Sequence, residues 1–362
     1  MVQLLLARKR KPGRALLALA SIALLCAHAA FSAPKEKNTA PPELWKLSLD
    51  GGRSLTWERN LSSEAEVKPN RGFWNKVWDV IAGSPDFRSL IRPYAVAIDS
   101  RGRILVTDPG ASGVHIFDLT QHKYKFLQRR DKMIRPQCIA VDAQDNIYVT
   151  DSEAGVIFVF NAAGKFLHAL GSLKGGEGYF KRPTGIAVDS TAQRVYVTDT
   201  LRDQVFVLDL NGTVLQTIGH SGSANGEFNL PTDLRLIGDN LLVVDAMNFR
   251  VQAFDRAGNF QYTIGKLDPD GGATFRPISI GVDSENDLYV VDALHGAVQV
   301  LNRAGQLLYY FGVEGTHAGE FQLPAGLFIA KDDHVYVVDS FNRRVQIFRY
   351  AALNRPPGEP AK

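Results

Sequence analysis

An all-β chain closed into a six-bladed β-propeller is predicted by three observations: a repeat of about 45 residues, two independent landmarks that keep its period, and strand alternation in every unit. Prolines open the units at Pro93, Pro136, Pro183, Pro231, Pro277 and Pro324, at spacings of 43, 47, 48, 46 and 47. An aspartate ending a β-rich run keeps the same clock at Asp108, Asp151, Asp199, Asp245, Asp292 and Asp339.

Each unit divides into four short strands. The first follows the proline (AVAID, CIAVD, GIAVD), the second ends on the aspartate (RILVTD, NIYVTD, RVYVTD, HVYVVD), and the third reads VHIFD, IFVFN, VFVLD or VQIFR. Valine, isoleucine, tyrosine and phenylalanine at period two make half-buried strands, and no stretch keeps helical spacing for long enough to compete. The fourth strand (KFLHALG, TVLQTIG, NFQYTIG, QLLYYFG) follows NAAG, DLNG, DRAG or NRAG. In those turns the Asn or Asp side chain caps the backbone and the glycine takes positive φ.

A linear stack of such sheets leaves an edge exposed at each end, whereas a ring does not. The sixth unit has three strands and then becomes NRPPGEPAK, so its outer strand has to come from elsewhere. KVWDVIAG, just before Pro93, is the expected donor: residues 76–82 close the last blade, and the ring occupies 76–350. Upstream, residues 44–75 are expected to form an extension with a hairpin around Asp50-Gly51-Gly52, packed on the ring by Trp45, Trp57 and Trp74. Residues 351–362 are expected to be a disordered Pro-rich tail.

The first 33 residues have a different character. Arg8, Lys9, Arg10, Lys11 and Arg14 precede the apolar run ALLALASIALLCAHAAFSA, the order of a secretory signal peptide, with small residues suited to cleavage after Ala29 or Ser32. A linker over 34–43 follows, and the protein is expected to be exported to the periplasm or beyond. A retained anchor is the alternative, and it would be the one membrane contact. Lipidation at Cys26 is a minor alternative, because Leu25 is larger than the residue usual there.

The formal charge of +3 comes from 41 basic and 38 acidic residues, and the leader holds five basic residues and no acid. Without it the balance is 36 against 38, which argues against a nucleic-acid partner. The two cysteines, Cys26 and Cys138, fall on either side of the cleavage region, so the mature chain has one thiol and no internal disulfide, CxxC clip or haem motif.

The units resemble NHL repeats, most closely in GIAVD…RVYVTDT, DAMNFRVQAFDRAGNFQYTIG and DSFNRRVQIFRY, with GEFNLP and GEFQLP between blades. The resemblance covers about residues 76 to 350. It implies NHL-type four-stranded blades, and a wider group that includes protein- and RNA-binding platforms, a peptide-amidating lyase, lactonase-like enzymes and bacterial envelope proteins. The fourth unit departs from the pattern with TDLRLIGDN, and the first lacks the glycine before its outer turn.

Function is expected where blades differ, at the channel mouth. Of the residues just after each proline, Tyr94, Gln137, Thr184, Thr232 and Asp233 offer polar groups. The amidating lyases use histidines to hold zinc around the axis, and no histidine stands at these positions. Loops joining second to third strands add Arg202, Asn248, Arg250, His295, Asn342, Arg343 and Arg344, of which His295 is the one histidine placed to face the mouth. The arginines suit an anionic group; the competing reading makes Asn248, Arg250, Asn342 and Arg344 staples within their blades. The Gly-rich inter-blade stretches lack the Lys-Ser/Thr ending of a phosphate-binding loop and read as turns. No catalytic set converges, so the expected function is a binding module or assembly scaffold for a protein, peptide or glycan, without cofactor. The alternative is a metal-dependent lyase or lactonase using the central channel, with Asp233, Thr184, Gln137 and His295 around a divalent ion.

Overall fold

A computed structural model describes residues 45–67, 87–129, 132–172, 178–265, 276–293 and 295–352. They form six antiparallel sheets arranged in a ring; in blades 1 to 5 the strands follow sequence order from the axis outward, and in blade 6 the outer strands come from the start of the described chain. Blade 1 runs from Ala95–Ile98 to Lys123–Leu127, blade 2 from Pro136–Val141 to Phe166–Leu170, and blade 3 from Pro183–Asp189 to Val214–Ile218. Blade 4 runs from Pro231–Ile237 to Phe260–Ile264, blade 5 from Pro277–Val282 to Leu307–Phe311, and blade 6 opens with Pro324–Ile329. The innermost strands of successive blades touch around the whole ring, blade 6 against blade 1 included. The first and fourth units, irregular in sequence, form four-stranded sheets like those of blades 2, 3 and 5.

Second and third strands are buried on both faces because each sheet is sandwiched between two neighbours: Ile104–Asp108, Ile147–Asp151 and Val156–Phe160 are buried throughout. The outer strands of blades 1 to 5 are instead exposed or half-buried up to their last residue, which is buried in each. Fourth strands follow the turns expected of the Asn/Asp-x-x-Gly motifs. Asn161 Oδ1 accepts the amides of Ala163 (3.1 Å) and Lys165 (2.9 Å), and Gly164 takes φ 71°. Asp255 does the same for Ala257 and Asn259, bonds led by those from Asn259 that hold its carboxyl below the usual range.

Ring closure differs from the sequence expectation. The outer strand of blade 6 is Ser54–Leu61, paired antiparallel with Arg344–Ala351, and Lys46–Ser48 adds a fifth strand through a tight turn at Asp50–Gly52. Residues 76–82, the expected donor, lie outside the described residues, and the place assigned to them is filled by Ser54–Leu61. Leu55 opposite Tyr350 and Leu61 opposite Val345 are fully buried. Trp45 packs edge-on against Phe348 at 5.5 Å and near Phe311 at 6.4 Å. Trp57 packs on the same cluster, while Trp74 is outside the described residues. The ring therefore includes the upstream extension, and Ala351 belongs to the last third strand rather than to a tail.

Two features hid the donor. A β-bulge at Trp57/Arg59 interrupts the alternation of SLTWERNL. The outer strand also stands far from Pro93 in sequence: Leu61 is followed by Ser62 and Glu64, which pair with Leu90 and Arg88 (Leu90 N–H to Ser62 O, 2.8 Å; Glu64 N–H to Arg88 O, 2.8 Å) just before blade 1. The leader, the linker and the residues from 353 onward are likewise outside the described residues.

On the base of the ring, opposite the prolines, the hairpin of blade 5 gathers carboxylates. Asp283 Oδ1 accepts the amides of Glu285 and Asp287 (2.9 Å each), while its buried Oδ2 has no hydrogen-bond partner among the described residues. Burial, with Asp287 and Asp333 nearby, pushes the Asp283 carboxyl up to about 7 against the donated hydrogen bonds. Ser284 donates to both oxygens of Asp333, Tyr350 donates to Glu285, and Arg53 lies 3.7 Å from Glu285.

Two outcomes follow. Leu55→Ala and Leu61→Ala each lower the unfolding free energy by about 2–5 kcal/mol in denaturant titrations, because each empties a fully buried site in the closing strand. Between an ordinary carboxylate value near 4 and about 7, folded Asp283 holds a proton that the unfolded chain has released, so its contribution to stability falls as pH rises through that window. Asp283→Asn, which keeps the acceptor and removes the charge, raises the melting temperature at pH 8 by a few degrees and changes it little at pH 4.

Candidate functional site

Six buried carboxylates organise the face where the blade prolines lie. Each aspartate ending a second strand is 0% exposed, and each accepts backbone N–H groups from the segment entering its blade. Asp108 receives Ile91 (2.6 Å) and Arg92 (3.0 Å), Asp199 receives Lys181 and Arg182 (2.9 Å each), and Asp151 receives Ile134 (2.7 Å) and Arg135. Asn229 (2.7 Å), Arg276 (3.3 Å) and Gln322 (2.7 Å) do the same for Asp245, Asp292 and Asp339. Burial works against ionisation of Asp108, yet His115 and the Ile91 and Arg92 amides hold its carboxyl below the usual range. At Asp245 burial prevails over Asn229, Asn248 and Arg250, and the carboxyl is raised.

Several sequence candidates are tied to these carboxylates. Arg202, Asn248, His295 and Asn342 occupy one equivalent position, three residues after the aspartate. Asn248 and Asn342 Nδ2 donate to Asp245 and Asp339 at 2.8 Å, His295 Nδ1 meets Asp292 Oδ2 at 2.6 Å, and Arg202 Nη1 lies 3.5 Å from Asp199. Arg202 also stacks over Tyr179 at 4.9 Å. Arg250 and Arg344 are staples. Their Nε atoms donate to Asp245 (2.8 Å) and Asp339 (2.7 Å), and their Nη atoms donate to carbonyls of the preceding Gly-rich turns, Ala224 and Glu227 in one, Thr316, His317 and Glu320 in the other. Arg343 is exposed with φ 55° and does not line the cavity described next.

Tyr94, Gln137, Thr184 and Thr232 do meet, in a cavity of about 680 Å³ at the mouth of the central channel. Thr184 shares hydrogen bonds with Thr198 (2.8 Å) and Thr200 (2.7 Å), and Thr232 donates to the Ile278 carbonyl at 3.1 Å, so both also join strands. The Tyr94 hydroxyl and the Gln137 amide make no hydrogen bond to other side chains or backbone among the described residues. Burial, with Cys138 and Asp233 adjoining, pushes the Tyr94 phenol up, so it is a neutral donor at ordinary pH.

Beneath this mouth, Asp233 is committed to a closed network. Its Oδ1 accepts Arg235 Nη1 (2.7 Å) and the Leu234 amide (2.9 Å), and its Oδ2 accepts the Ser279 hydroxyl (2.7 Å) and the Ile280 amide (3.3 Å). Arg235 Nη2 reaches the Leu327 carbonyl at 3.0 Å, so the departure TDLRL in the fourth unit ties blades 4, 5 and 6 across the axis. Cys138 is buried beside it, and burial drives its thiol well up, which removes nucleophilic character. Asp233 and His295, brought together in the metal reading, thus have separate partners. Among the described residues no three His, Cys, Asp or Glu side chains gather as a metal set.

Sequence reasoning passed over the arginines that line the mouth: Arg92, Arg135, Arg182 and Arg276. Their signal was visible, since each immediately precedes a blade proline in four of six units. The following proline disfavours helical backbone at these positions, and the buried aspartate pins each amide, so both ends of the residue are fixed while the side chain projects from the rim.

Replacing Arg344 with Met leaves Asp339 buried with its cation gone. The expected loss is about 3–5 kcal/mol in urea unfolding, partly recovered by adding Asp339→Asn; a melting temperature equal to wild type would contradict the staple.

A family model described as a 6-bladed beta-propeller matches residues 135–225 and 187–268. No curated protein sequence matches the chain. Among solved structures, a structural genomics protein of unknown function from Bacteroides thetaiotaomicron is 15% identical, with a TM-score of 0.59 over 72% of this chain and 70% of its own. An auxiliary nutrient binding protein from the same organism is 13% identical, with a TM-score of 0.56 over 73% of this chain and 70% of its own. A catalytically inactive virginiamycin B lyase from Staphylococcus aureus with quinupristin is 14% identical, with a TM-score of 0.53 over 75% of this chain and 87% of its own. At these identities the likeness is one of fold, and the chain is a six-bladed β-propeller.

Proposed function

We propose that this protein is an exported propeller of the NHL type that works as a binding module or assembly scaffold in the cell envelope, taking a protein, peptide or glycan at its channel mouth. The observation that carries this reading is the mouth cavity of about 680 Å³, where polar side chains with unused hydrogen-bonding capacity converge. The groups that could do chemistry near it are engaged elsewhere: Asp233 by Arg235 and Ser279, His295 by Asp292, and Cys138 by burial. Export is supported by the basic and apolar leader, and the NHL type by the DAMNFRV and DSFNRRV segments. The fold neighbours include a nutrient-binding protein and a lyase, so this architecture accommodates either use.

Met247 and Ala293 line the mouth; the Ala293 side chain makes no hydrogen bond, and the Met247 sulfur meets Arg276 Nη2 only at 4.0 Å. Met247→Trp and Ala293→Trp should reduce binding to a partner drawn from glycan and peptide libraries by about tenfold or more, with the melting temperature kept. Calorimetric titration with zinc and calcium provides the contrary outcome, because stoichiometric metal binding lost on Asp233→Asn would favour a metal-dependent lyase or lactonase.

A further inference from the structure

We propose that the channel mouth selects an amphipathic anion, a ligand with a phosphate, sulfate or carboxylate group on an apolar body. This deepens the binding function proposed above and rests on it. Four guanidinium groups line the cavity, from Arg92, Arg135, Arg182 and Arg276, and no Asp or Glu is among its lining residues. All four are exposed, so their charges are presented to solvent rather than held in the sheets.

Their existing contacts are weak. Arg92 lies over Phe341 at 5.5 Å, Arg276 Nη2 is 4.0 Å from the Met247 sulfur, and Arg135 is 3.7 Å from Glu153 with both side chains more than half exposed. A pair so exposed contributes little. The Arg182 guanidinium has no hydrogen bond or ion pair among the described residues. Like charges around one opening repel one another, and an anion between them removes that repulsion while filling forked donors that match its oxygens. Gln137, 7% exposed and lining the same space, adds an amide without a hydrogen-bond partner among the described residues.

The mouth is uneven, with Arg276 of blade 5 the single guanidinium on the side facing blades 1, 2 and 3. Arg92, Arg135 and Arg182 come from the consecutive blades 1, 2 and 3. At the equivalent position blades 4 and 6 carry Leu230 and Leu323, which also line the cavity. These leucines have φ of 52° and 50°, a left-handed conformation that is unfavourable for a branched apolar side chain and tends to persist where function uses it. In blades 4 and 6 the buried aspartate accepts the amide one residue earlier, from Asn229 and Gln322. Leu230 is 36% exposed, Leu323 45% and Met247 36%, which leaves apolar surface facing solvent on that side. An anion without an apolar body would use only part of this opening.

Calorimetric titration of the full chain with phenyl phosphate and with inorganic phosphate tests the inference. Phenyl phosphate is expected to bind more tightly than inorganic phosphate, with an affinity that falls as NaCl is raised. The double substitution Arg92→Gln/Arg182→Gln, on exposed side chains, should weaken phenyl phosphate by about tenfold or more, while Arg303→Gln in a hairpin turn away from the mouth leaves it unchanged. Failure of both phosphates to bind, equal affinity for the two, or equal losses in Arg92→Gln/Arg182→Gln and Arg303→Gln would each overturn it. A neutral glycan bound at the mouth and lost in Ala293→Trp, with neither phosphate bound, would sink the anion inference and leave the binding function standing.

Discussion

A carboxylate buried at the inner end of each second strand is the interaction on which the rest of this protein depends. Desolvating six such groups is costly unless every one is satisfied, and backbone amides from the segment entering the blade do most of that work. The same bonds set where each strand begins and how the residue before each proline is presented. The rim of the channel is therefore a by-product of satisfying the core.

The blades solve this common requirement with different side chains. Arg202, Asn248, His295 and Asn342 all reach back to the aspartate three residues earlier, and Arg250 and Arg344 extend the contact into the Gly-rich turns. In blade 1 His115 stands where Gln252, Gln299 and Gln346 stand in blades 4, 5 and 6, opposite a valine of the second strand, and it too approaches the carboxylate, at 3.4 Å. Variation from blade to blade is thus no guide to ligand contact at these positions. It marks alternative ways of meeting one hydrogen-bonding demand.

Blade number, strand order and the hairpin turns were legible in the amino-acid sequence because each repeats six times, or nearly so, and each has a local physical cause. Closure was not, since the donor strand carries a bulge at Trp57/Arg59 and ends at Leu61, far upstream of Pro93 in sequence. Part of the mouth was legible: Tyr94, Gln137, Thr184 and Thr232 follow from where an inner strand starts. The arginines Arg92, Arg135, Arg182 and Arg276 recur from blade to blade and so fell outside a reading that placed function where blades differ, although here the recurring backbone is architectural and the recurring side chain is not. Asp233 was expected at the channel mouth but lies buried beneath it, and its partner Arg235, two residues on in the same strand, helps withdraw it from solvent.

The pairing of Ser54–Leu61 with Arg344–Ala351 also bears on how the molecule comes into being. A ribosome delivers the early hairpin nearly three hundred residues before its mate. Throughout that interval the nascent arc has an open sheet flank and a tryptophan-bearing strand with nothing to lie against. Completion is a single late event that joins an early hairpin to the last described strand, so the torus cannot be finished piecemeal and its final latch is a contact of very large sequence separation.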